Sequence, residues 1–229
     1  MSTLQITQYK HLIYKEWLKT RWWILLSFIG GIGVILVSYM LILQRIHAMG
    51  ESYYFSTFIQ EQPTLFSMYK YIVILSSIAI GISQFRPEFT NKRIKLSLHL
   101  PMPTYHVVYS MIGYGFMILT VVIAIEMLFM SILMCTIYPW EVLKGTFLTV
   151  TPWILGGWCC YFAVVSVLFE PKKITQCAQF VWYALLLNLF FSGYGYGNVQ
   201  PIIPILFIVT VLISLSTVYT SHRFIKGTY

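Results

Sequence analysis

The chain has 229 residues, of which 58% are hydrophobic and only 10% charged, and its mean hydropathy is +0.75. So few charges over this length exclude a water-soluble domain and point to a polytopic membrane protein, all-α and built as one membrane domain. The formal net charge is +8. Its cations flank apolar runs, so anionic lipid headgroups are their expected counterpart and nucleic acid is not.

Residues 1–21 read as an amphipathic helix lying in the membrane interface. Ile6, Tyr9, Leu12, Ile13 and Trp17 share one face at helical spacing, with Lys10, Lys15, Lys19 and Arg21 around the rest. Glu16 interrupts the apolar face, either paired with a base of another segment or snorkelling. A six-helix bundle is expected over residues 22–221, followed by a cytoplasmic tail at 222–229.

The first span is expected at 22–43, with Trp22 and Trp23 as interfacial anchors, and the second at 64–83, after an outside segment at 44–63. Ser27 with Gly31, and Ser77 with Gly81, are small-residue pairs that let helices approach closely. The third span covers 106–137, longer than a bilayer needs. The fourth covers 146–169, after an outside turn marked by Pro139. The fifth covers 174–192 and carries Gln176, Gln179 and Asn188, and the sixth ends near residue 221.

Between the second and third spans lies the most strongly charged stretch, residues 84–105, with Arg86, Lys92, Arg93 and Lys95 opposed only by Glu88. Pro87 suits the first turn of a helix, with Glu88 near the positive end of its dipole. Ile94, Leu96, Leu98 and Leu100 alternate with polar residues at strand period, but a lone strand finds no partner in so short a loop. A short surface helix ending before Pro101 is therefore expected. With this loop inside, the inner segments collect Lys10, Lys15, Lys19, Arg21, Arg86, Lys92, Arg93, Lys95, Lys172, Lys173, Arg223 and Lys226. The outer ones hold Arg45, Lys70 and Lys144. Twelve against three puts both termini in the cytoplasm.

Motifs for chemistry are few. HExxH, a phosphate-binding G-x-x-x-x-G-K-[ST] loop and Cys/His metal spacing are all missing, and all seven acids are glutamate. Glu126 lies mid-span, where an ionisable group faces either a wet path or a helix contact. With Gln179 and Asn188 it is a candidate for a substrate path lined by the first, second and fifth spans. Met127, Met130, Met134 and Cys135 form a sulfur stripe that suits packing far better than Cu(I), so no metal site is assigned.

The order of parts resembles the ABC-2 type permease subunits of ATP-binding cassette transporters. The resemblance rests on the amphipathic helix with Lys15-Glu16, six spans, and a basic inner loop with a glutamate, leucines, Leu100-Pro101 and Pro103-Thr104. It implies an N-terminal elbow helix that includes Glu16 and Trp17. It also implies a short coupling helix at 86–100, with Phe89, Leu96 and Leu98 entering a groove of a separate ATPase subunit and Glu88, Arg93 and Lys95 setting register. Residues 193–204 would match a re-entrant segment before the last span. The chain would then do no covalent chemistry and bind no cofactor, with ATP and magnesium held by the partner. It would act, as an exporter, with a second permease copy or a paralogue in a bacterial plasma membrane. A non-transporting anchor or assembly subunit shares the composition but needs no coupling loop. An intramembrane enzyme using Glu126 with His106 or Cys135 lacks supporting motifs.

Overall fold

A computed structural model describes residues 3–61, 63–90, 104–192 and 201–226. These form seven helices: α1 (Thr3–Met49), α2 (Glu51–Glu61), α3 (Tyr69–Thr90), α4 (Thr104–Met134), α5 (Trp140–Phe169), α6 (Lys173–Phe191) and α7 (Ile203–Lys226). No strand occurs among the described residues. All but α2 are long and apolar enough to cross a bilayer, so this is the architecture of a polytopic membrane protein.

Helix α5 is central. It touches α3, α4, α6 and α7, while α1 packs on α3 and α4 at the far flank. The run Gly156, Gly157, Cys159, Cys160 and Ala163 keeps α5 slim, so neighbouring backbones come close. Hydroxyls then bind α5 to α7 in a ladder. Cys159 Sγ donates to Thr210 Oγ1 at 3.3 Å, Thr217 Oγ1 donates to the Phe162 carbonyl at 2.9 Å, and Ser166 Oγ meets Thr220 Oγ1 at 3.3 Å. In an apolar medium such bonds supply the attraction that the hydrophobic effect cannot.

Helix α1 differs from expectation. No break separates an interfacial helix from a first span, because nothing between Lys19 and Trp23 stops a helix; there is neither glycine nor proline. At 47 residues it is about 70 Å long, more than twice the hydrocarbon core of a bilayer. One stripe of it is buried throughout: Leu12, Glu16, Thr20, Ser27, Ile35, Ser38 and Ile42. Leu12 is buried on protein, whereas Ile13 and Trp17 of the expected lipid face are exposed.

Other boundaries shift as well. The expected outside segment at 44–63 is largely helical, formed by the end of α1 and by α2. Tyr54 of α2 meets the Tyr138 hydroxyl at 2.5 Å and Phe58 packs on the same ring, closing α2 over the α4–α5 turn. Helix α3 begins five residues later than the expected second span and runs on to Thr90, so Pro87 stands inside its last turn instead of opening a new helix. Phe85, buried against Phe169 of α5, helps to offset the backbone bond that Pro87 forgoes. Helix α5 starts at Trp140, directly after Pro139. Helix α7 continues to Lys226 with no separate tail at 222. Of the short surface helix expected at 86–100, residues 91–100 lie outside the described residues, as does most of the expected re-entrant segment.

Candidate functional site

The N-terminal part of α1 and the last turn of α3 meet at the basic end of the bundle. Lys15 Nζ lies 2.8 Å from Glu88 Oε1, Lys19 Nζ lies 2.9 Å from the same oxygen, and Lys19 Nζ also lies 2.6 Å from Glu16 Oε1. Both carboxylates are buried. Two positive and two negative charges thus neutralise one another, with both carboxylates withdrawn from water and Lys15 at the open edge of the site. Such a cluster adds little net stability over an apolar replacement, but losing one member leaves a charge stranded, so it enforces a single docking of α1 on α3. Glu88 was expected at a helix N-terminus. It stands at a C-terminal turn, where the dipole disfavours an anion, and the two lysines of α1 compensate.

The cluster continues inward as a polar seam. Lys19 Nζ donates to the Gln84 carbonyl at 3.3 Å. The Gln84 side chain, also buried, donates from Nε2 to the Met111 carbonyl at 2.6 Å and accepts from the Tyr161 hydroxyl at 3.0 Å. Tyr161 also donates to the Ile112 carbonyl at 3.0 Å. These groups pass over α4 at Gly115, where a Cβ would collide with Gln84 Oε1 and the Tyr161 hydroxyl. Thr20 Oγ1 donates to the Glu16 carbonyl at 3.0 Å, and it meets the Tyr114 hydroxyl at 3.1 Å. Helices α1, α3, α4 and α5 are therefore joined by one continuous set of polar contacts.

An aromatic cluster ties the same end of α3 to the other flank. Phe89 packs edge-on against Phe169 of α5 and Phe224 of α7, with ring centroids 5.2 and 5.5 Å apart, and Phe85 lies 5.4 Å from Phe169. Phe89 was expected to contact a partner, but its ring is engaged within the chain. Arg223 of α7 reaches Glu170 at 3.9 Å beside this cluster.

The expected substrate-path residues do not converge. Glu126 is buried on α4. It accepts a hydrogen bond from the Tyr69 hydroxyl at 2.8 Å, and its other oxygen presses on α1 at Gly31, where a Cβ would overlap it. The other oxygen has no hydrogen-bond partner among the described residues. Gln179 lies on α6 in a groove against α7, and Asn188 is exposed, donating among the described residues to the Ala184 carbonyl of its own helix. The reason is the position of α6, whose main packing among the described residues is on α5. Met127, Met130 and Met134 are core residues, while Cys135 is exposed.

Of the expected elbow residues, Glu16 is buried in the charge cluster and Trp17 is half-exposed. Arg93, Lys95, Leu96 and Leu98 lie outside the described residues. Sequence reasoning missed Lys15 and Lys19 as partners of Glu88, and Gln84 with Tyr161 as a buried pair. A faint signal existed for the first two, since Lys15, Glu16 and Lys19 fall at spacings that share one side of a helix. Nothing local marks Tyr161. No protein-family model, curated protein or solved structure matches the chain.

Proposed function

We propose that the chain is the membrane-spanning subunit of an ABC-2 type transporter. It moves substrate by alternating access, as an exporter, with a second copy or a paralogue, and is driven by a separate ATPase that carries ATP and magnesium. The observation that supports this reading is the anchorage of the end of α3. Immediately ahead of the basic loop, Glu88 is tied to α1 through Lys15 and Lys19, and Phe89 is tied to α5 and α7 through Phe169 and Phe224. A push on residues 91–103 would therefore reach helices on both flanks of the bundle at once, which is what a transmission element has to do. The twelve-to-three distribution of basic residues supports a cytoplasmic position for that loop, in a bacterial plasma membrane with both termini inside.

The test is affinity purification of the full chain from its native membrane, followed by reconstitution in liposomes. Recovery of a Walker-motif ATPase whose hydrolysis depends on the chain supports the reading. Recovery of a stable complex without any ATPase points to an anchoring or assembly subunit.

A further inference from the structure

Arg21 stands at the mouth of a groove between α1 and α4, and among the described residues it is the only charged group on its wall. The groove has a volume of about 570 Å³. Beyond Arg21 it is apolar, with Ile24, Leu25 and Phe28 of α1 facing Ile118, Val121 and Ile125 of α4. The Arg21 guanidinium lies over the Trp22 ring, 5.5 Å from its centroid, which orients it.

Three of the other cations at this end are already engaged. Lys15 and Lys19 meet Glu16 and Glu88, and Arg223 reaches Glu170. Arg21 has no ion pair among the described residues. The parallel groove on the other side of α1, towards α3, has Lys19 and Arg86 on its wall; Lys19 is met by the two glutamates, and this groove also carries the polar side chain of Ser83, unlike the wholly apolar wall beyond Arg21.

We propose that the α1–α4 groove holds one anionic phospholipid, with its phosphate on Arg21 and one acyl chain between the two helices. The dimensions and chemistry agree. Trp17 and Trp22 flank Arg21, and tryptophans concentrate at headgroup level. From Arg21 to Phe28 the groove follows α1 for about 10 Å, enough to cross an interfacial layer of about 5–8 Å and enter the hydrocarbon. A guanidinium matches a phosphodiester in two parallel hydrogen bonds. Among the described residues the groove wall holds no carboxylate to receive the ammonium of a zwitterionic headgroup, so the site favours a net negative lipid.

The experiment uses the purified full chain in nanodiscs of equal phosphatidylglycerol and phosphatidylcholine with identical chains. The lipids retained after release into detergent are counted by native mass spectrometry. The wild-type chain is expected to retain one phosphatidylglycerol in about fivefold preference, the worth of one basic residue at an anionic surface. Arg21→Gln is expected to bring the two lipids to parity. Val121→Trp is expected to fill the groove and lower retention of both while Arg21 remains. Both positions face outward, so elution volume and helical content should not change. Parity in the wild-type chain, or a preference that survives Arg21→Gln, would overturn the proposal. So would displacement by inorganic phosphate, which would mean a site for free anions, or crosslinking of Val121→Cys between two chains, which would mean a second copy covers the groove.

Discussion

Lys19 Nζ and Glu88 Oε1 lie 2.9 Å apart across 69 positions of sequence, and the same lysine lies 2.6 Å from Glu16 on its own helix. One ammonium group therefore holds two buried carboxylates, one on each side of the α1–α3 contact. Lys15 adds a second link to Glu88 but is 39% exposed, whereas Lys19 is 14% exposed.

Lys19→Ala should consequently be the most damaging single change in this cluster. It leaves Glu16 and Glu88 facing each other with only Lys15 to answer them, and a cost of about 3–5 kcal/mol is expected from breaking a buried pair. Lys15→Ala should cost about 1 kcal/mol or less, because its partially solvated charge is screened. Thermal unfolding in one detergent compares the two directly. Equal losses would mean that the cluster is wetter than its burial implies.

Gly31 and Glu126 make a second testable pair. Gly31→Ala places a methyl group where the Glu126 carboxyl lies, and a cost of about 1–3 kcal/mol is expected from overpacking. Glu126→Ala removes the obstacle. The double variant should then be clearly more stable than the sum of the two losses predicts, since residues in contact are not additive. Additive losses would show that α1 and α4 do not meet at this point.

Tyr69 decides how Glu126 is read. Tyr69→Phe deletes the hydrogen bond to Oε2 and should destabilise by about 1–3 kcal/mol, because a buried acceptor is left unsatisfied. Glu126→Gln keeps an acceptor for the tyrosine and should leave stability nearly unchanged. Transport in liposomes, under the proposed function, should also be unaffected by Glu126→Gln at any pH. A pH-dependent loss of transport in that variant would instead put Glu126 on a wet path.

Phe89 separates an internal lever from a direct partner contact. Phe89→Ala and Phe224→Ala remove different members of one aromatic cluster, and each should cost about 2–4 kcal/mol. If the cluster transmits motion from the loop, both variants should bind the ATPase normally yet uncouple hydrolysis from transport. If Phe89 instead contacts the partner, only Phe89→Ala should weaken co-purification.

Orientation is checked by labelling with an impermeant thiol reagent in a background without Cys135, Cys159, Cys160 and Cys177. Lys172→Cys should be protected in intact cells and Glu51→Cys should react. Glu51 is a better reporter than its neighbour Gly50, whose φ of +80° disfavours a side chain. The reverse pattern of labelling would invert the topology.

The apolar runs by themselves determined that the chain is all-helical and of polytopic membrane type, with six helices long and apolar enough to cross a bilayer. Hydropathy is a local property, and in lipid a helix satisfies its own backbone. The small pairs Ser27–Gly31 and Ser77–Gly81 were likewise legible, and both lie at helix contacts: Gly31 against Glu126, Gly81 against Val164. Local pattern could not say whether the amphipathic start of α1 bends into the interface or runs straight on, because no residue there breaks a helix and only packing on α3 and α4 distinguishes the two. Nor could it assign Glu88, which reads as the start of a surface helix until Lys15 and Lys19 are placed beside it. The same holds for Gln179 and Asn188, polar residues on an apolar run whose neighbours depend on α6 docking against α5. Partners across 69 positions are selected by which faces exclude lipid and meet charge, and that selection exists only once the helices are packed.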